Sequence, residues 1–128
     1  MKELNEELIY YCKEGNIEET ERLIKKGADV NASDAVYDYT ALIWASVRGD
    51  IELAELLIDN GADVNAVNAG GTALRFAAYY FNTKIAKLLI KNGADVNAVD
   101  EVGHTCLIDA CVTFESKSEM CRLLGEFK

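Results

Sequence analysis

The chain has 128 residues, half of them apolar and 27% charged, a balance that suits one globular domain and excludes a disordered or fibrous chain. Thirteen basic against twenty-two acidic residues give a formal charge of -9, which repels phosphate backbones and anionic lipid, so neither nucleic acid nor a membrane is an expected partner. No apolar run nears the roughly 18 residues of a membrane helix, and the opening Met1-Lys2-Glu3-Leu4-Asn5-Glu6-Glu7 lacks an apolar signal core. The expectation is a cytoplasmic monomer whose four cysteines, Cys12, Cys106, Cys111 and Cys121, stay reduced.

The first predicted helix carries Cys12, and a second ends on Leu23-Ile24 just before Gly27-Ala28-Asp29-Val30-Asn31-Ala32. That hexamer returns at Gly61 to Ala66 and at Gly93 to Ala98, at spacings of 34 and 32 residues. Each copy follows an aliphatic pair (Leu23-Ile24, Leu57-Ile58, Leu89-Ile90), and each precedes a Thr-x-Leu headed by Thr40, Thr72 or Thr105. Each threonine hydroxyl is suited to cap a helix whose apolar and small residues recur at helical spacing: Leu42, Ala45 and Ser46; Leu74, Ala77 and Ala78; Leu107, Ala110 and Cys111. With Cys12, the small residues form a column that lets neighbouring helices approach. A second helix follows in each unit and ends at Gly27, Gly61 or Gly93, where glycine accepts a left-handed C-cap. Extended fingers, Ser33 to Tyr39 and Val67 to Gly71, link the units.

These hexamers and Thr-x-Leu motifs resemble the ankyrin repeat, whose pattern runs Asp-x-x-Gly-x-Thr-Pro-Leu-His through Gly-Ala-Asp-Val-Asn-Ala. The resemblance implies an all-α solenoid of four stacked helix-turn-helix units with projecting β-hairpin fingers. The units are an N-terminal cap at 1–32, full repeats at 33–66 and 67–98, and a truncated unit at 99–128. The pattern's proline is replaced by Ala41, Ala73 and Cys106, and its histidine by Ile43, Arg75 and Ile108, so these helices start on caps and packing alone. The first finger is one residue longer than the pattern and the second one shorter, which accounts for the unequal spacings. The inter-helix turn at Thr113 to Ser118 also carries an extra residue. Phe81 and Phe114 stand where the family has an inter-helix glycine of positive φ; the expectation is a rebuilt turn with Asn82 taking the left-handed position, or else an aromatic contact with another chain. Gly125 in place of an aliphatic residue makes the last unit the expected weak point, with Phe127 partly exposed.

For chemistry, His104, Cys106, Asp109 and Cys111 lie close in sequence, but Cys111 falls in the stacking column, Cys106 at a helix start and Cys121 on an apolar face. They are expected to be structural thiols, with no metal and no cofactor implied. Gly70-Gly71 lacks the lysine and strand of a phosphate loop, and Glu6-Glu7 and Glu18-Glu19 fit a solvated face. No catalytic constellation is present, so the chain is expected not to be an enzyme.

In ankyrin proteins the concave surface of fingers and first helices usually binds the partner. By position this resemblance assigns Val36, Tyr37, Asp38 and Tyr39 on one finger, Glu101, Val102 and His104 on another, and Val47, Arg48, Tyr79, Tyr80, Val112 and Thr113 at the ends of first helices. Tyrosine supplies contact area with a polar tip, although finger tyrosines also pack on their neighbours. Trp44 and Phe76 are expected to pack between units. Asn31, Asn65 and Asn97 sit in a context resembling the hydroxylation site of some ankyrin proteins, against a reading in which each braces its finger by hydrogen bonds. The expected function is a non-catalytic protein-binding module for a neutral or basic partner. The alternative is a structural spacer, or a fragment of a longer array with no partner in the groove.

Overall fold

The structure is a computed structural model that describes residues 2–68 and 71–98. The Thr40 hydroxyl accepts the Ile43 amide at 3.2 Å and the Thr72 hydroxyl accepts the Arg75 amide at 3.3 Å, each satisfying an amide at the open start of a helix. These caps open α3 (Ala41–Arg48) and α5 (Ala73–Tyr79); with α1 (Lys2–Glu14) they form an inner row. The outer row is α2 (Ile17–Lys25), α4 (Ile51–Asp59) and α6 (Thr83–Lys91), each packed on the inner helix before it. Beyond α2, α4 and α6, Gly27, Gly61 and Gly93 adopt φ of 102°, 93° and 93°, the left-handed geometry expected of them.

Inner helices pack on one another more closely than outer helices do, and the residues at their seam explain it. Ala45 and Ala77 are fully buried, as is the small-residue column of Cys12, Ser46 and Ala78, so backbones come close without leaving voids. Leu8, Leu42 and Leu74 fill the same register of the inner row, and Leu23, Leu57 and Leu89 that of the outer row, all at most 1% exposed. Each pair buries its apolar stripe on the next, which is how a solenoid assembles one continuous core from units too small to own one.

Two sets of polar bonds link the units. Asn31 accepts the Asp63 amide at 2.7 Å and donates to the Gly61 carbonyl at 3.2 Å. Asn65 repeats this one unit on, with Asp95 at 2.8 Å and Gly93 at 3.1 Å. The bracing expected of these asparagines is therefore made to the following unit rather than to their own finger. At the N-terminal end Asn5 of α1 accepts the Asp29 amide at 2.8 Å. The second set runs along the inter-helix turns, where Arg48 donates to the Lys13 carbonyl at 2.8 Å and the Asn82 side-chain amide donates to the Ser46 carbonyl.

That last bond overturns one expectation. The turn at Phe81 is not rebuilt: Phe81 itself takes φ of 60°, matching Gly15 at 75° and Gly49 at 76° in the turns before it. Asn82 keeps a negative φ, at -88° with ψ 75°, and its side chain is held by the neighbouring unit. Backbone bonds from Phe81 to Ala78 and from Asn82 to Ala77, the same 2.8–3.2 Å closure, keep the turn in register while the aromatic side chain accepts the strained conformation.

The fingers differ as their lengths require. In the first, a single bridge pairs Ser33 with Thr40 and encloses residues 34–39. The second is a short antiparallel hairpin, β1 (Val67–Asn68) on β2 (Gly71–Thr72), with Val67 opposite Thr72. Expectations for Thr105, Cys106, Cys111, Phe114, Cys121, Gly125, Phe127 and the turn at 113–118 fall outside the described residues.

Candidate functional site

The first finger is organised by one carboxylate. Asp34 Oδ1 accepts the backbone amides of Val36, at 3.1 Å, and Tyr37, closing an Asx-type turn. Its other oxygen accepts the Trp44 indole N–H at 3.0 Å, tying the finger to α3. Burial acts to raise the Asp34 pKa, but these donors and the nearby Lys13 charge outweigh it and hold the carboxyl below its ordinary value. Asp38 takes a left-handed φ of 58° and accepts the Ser33 hydroxyl at 2.7 Å, which turns the chain back toward Thr40.

An aromatic run extends from this turn across two units. Tyr37 lies 5.6 Å from Tyr39 and 6.5 Å from Trp44, centroid to centroid. Tyr39 is half-buried, its ring 5.2 Å from Trp44 and 5.0 Å from Phe76, so it joins α3 to α5. Burial, followed by the nearby Tyr80, raises the Tyr39 pKa. Tyr79 and Tyr80 stack edge to face at 5.1 Å where α5 ends. On the other side, Lys13 of α1 places its ammonium 4.9 Å from the centre of the Trp44 ring. Between α1 and the finger runs a groove of about 580 Å³, with Ile9, Tyr10, Lys13, Asp34, Ala35 and Val36 among its walls.

The sequence-assigned residues separate into three groups. Val36 is 78% exposed, Tyr37 59%, and Tyr79 and Tyr80 49% each, alongside exposed Asp38, so these present a free surface. Tyr39 and Val47 pack against the core, and the Arg48 guanidinium is held over the α1–α2 turn by the Lys13 carbonyl. Glu101, Val102, His104, Val112 and Thr113 lie outside the described residues. Trp44 and Phe76 contact the same intervening ring, as packing residues, with Phe76 only 7% exposed.

Sequence reasoning missed Tyr10, 56% exposed on the groove wall, together with Lys13 and the organising role of Asp34. A signal for Tyr10 existed: it stands five residues before Gly15, as Trp44 stands five before Gly49 and Phe76 five before Phe81. The three partners of Asp34 meet only when the finger folds back on α3.

Cys12 sits in the stacking column 3.8 Å from the Thr20 hydroxyl, and burial raises its pKa to about 11 against the weaker pull of that contact. Its thiol is thus protonated at neutral pH. Among the described residues no cluster of His, Cys, Asp and Glu could hold a metal ion, and no helix is long and apolar enough to cross a membrane.

Among the described residues, three stacked helix pairs joined by extended fingers define a repeat solenoid. A family model for ankyrin repeats (many copies) matches residues 8–58 and 42–90, so the chain belongs to the ankyrin repeat family. Ankyrin repeats are in general protein–protein interaction modules, and the family is typically not enzymatic. No curated protein sequence matches the chain.

Proposed function

We propose that this chain is a non-catalytic binding module, one domain over residues 1–128, that grips a neutral or basic segment of another protein with its first finger and inner helices. The observation that carries the reading is the aromatic cluster of Tyr37, Tyr39, Trp44 and Phe76, which spans two units, together with the Tyr79–Tyr80 pair at the end of α5, an arrangement that leaves Tyr37, Tyr79 and Tyr80 about half exposed. Such rings offer large contact area at low entropic cost, and a surface of net charge -9 favours a partner that is not acidic.

The test is affinity capture from the native source with the wild-type chain beside a variant carrying Tyr37→Ala, Tyr79→Ala and Tyr80→Ala. Tyr39 is retained because its ring packs between α3 and α5. A partner held by the wild type and lost by a variant of unchanged circular dichroism is the expected result. Equal recovery by both proteins refutes the assigned surface.

A further inference from the structure

The groove between α1 and the first finger already contains a cation. Lys13 reaches across from α1 to set its ammonium 4.9 Å from the centre of the Trp44 ring, whose negative face attracts it. The Asp34 carboxylate bonded to that same indole adds a full negative charge next to it. Neither partner is free to move with a ligand: Trp44 is fixed by Tyr39 and Asp34, and Asp34 by two finger amides and the indole. Lys13, by contrast, is a flexible four-carbon arm whose charge is readily hydrated once it swings out.

We infer that the Trp44 face and the Asp34 carboxylate form a cation-recognition site, filled by Lys13 in the free protein and by a lysine or arginine of the bound segment in the complex. The inference rests on the proposed binding function and names the chemistry its partner brings. The walls of the groove suit such a side chain. Ile9, Tyr10, Ala35 and Val36 line the approach where an aliphatic stem would lie, and Glu6 stands on the α1 wall as a second acceptor. Lys13 is then an internal competitor, and its release lowers the affinity for every basic ligand by a constant factor.

The prediction is open to titration because Trp44 is the only tryptophan of the chain, so its fluorescence reports the site directly. The probe is the blocked peptide acetyl-Ala-Arg-Leu-Arg-Ala-amide, with its citrulline counterpart as the neutral control. Lys13→Met is expected to bind the probe about two- to fivefold more tightly than wild type, the range set by an exposed cation–π contact. Lys84→Met on α6 makes the same change in net charge away from the finger and is expected to match wild type. Asp34→Asn is expected to weaken binding, and the citrulline peptide to bind none of the variants comparably. Lys13→Met and Lys84→Met behaving alike, equal binding of both peptides, or no binding by any variant overturns the inference. In any of those cases a partner lost with the three tyrosines still upholds the binding function, whereas retained partners with a tighter Lys13→Met place recognition in the groove alone.

Discussion

Among the described residues the inner helix row uses one pattern three times, whereas the two fingers there share a place in the fold and little else. Leu8, Leu42 and Leu74 are interchangeable in register and burial, as are Cys12, Ser46 and Ala78. The first finger encloses six residues, 34–39, around an Asp34 turn, while the second closes with Val67 opposite Thr72 and has Gly71 beside Arg75. Stacking constrains a helix from both neighbours at once, so departures in volume are penalised in each unit alike. A finger tip meets solvent on most sides, and there the units are free to differ. The aromatic run begins on the longer finger, so the proposed binding surface grows from the part the stack constrains least.

This contrast is open to attack on the helix side first, where the largest effect is expected. Leu42→Ala removes a side chain 1% exposed between two stacked units and should destabilise the protein by about 3–4 kcal/mol. Denaturant unfolding measures it, and a loss under 1 kcal/mol would mean that the stack tolerates voids and that the contrast with the fingers is false.

A smaller effect is expected from pH, again within the stack. Cys12 binds its proton more tightly folded than unfolded, its pKa raised from an ordinary thiol value of 9.0 to about 11. Stability from this group is therefore complete below pH 9 and is lost as pH rises from 9 to about 11, when the unfolded chain ionises first. The loss is about 2–3 kcal/mol by linkage. Replacing Cys12 with alanine should flatten that part of the profile, and a wild-type slope retained in the variant would assign it to other groups.

The smallest effect sharpens the comparison at a place where helix row and loop meet. Phe81 holds φ of 60° in a turn that Gly49 makes at 76° without a side chain to strain. Phe81→Gly should stabilise the protein by about 1 kcal/mol through relief of that conformation. Thermal melting reads the sign. A lower melting temperature would show that contacts of the ring outweigh the strain.

Phe81 also marks the limit of local reasoning. In an isolated hairpin a bulky residue at a left-handed position favours a shifted turn. In the stack Asn82, the residue that would absorb the strain, is engaged by the Ser46 carbonyl of the preceding unit. Asn31 and Asn65 show the same effect more mildly: their hydrogen-bonding role was legible, but their partners lie a unit away and not in the adjacent finger. By contrast the caps at Thr40 and Thr72 and the left-handed glycines at Gly27, Gly61 and Gly93 were readable directly, since each depends on atoms within a few residues of its own chain.

The repeat period, the helix pairs, their caps and the small-residue seam were written in the linear chain, because periodic burial and local hydrogen bonds need only near neighbours in sequence. Which aromatic rings meet was decided in three dimensions: Tyr39 touches both Trp44 and Phe76, and Lys13 covers Trp44 from another unit. Those contacts join positions up to 37 residues apart, from Tyr39 to Phe76, and their geometry is fixed by how closely one helix pair settles on the next.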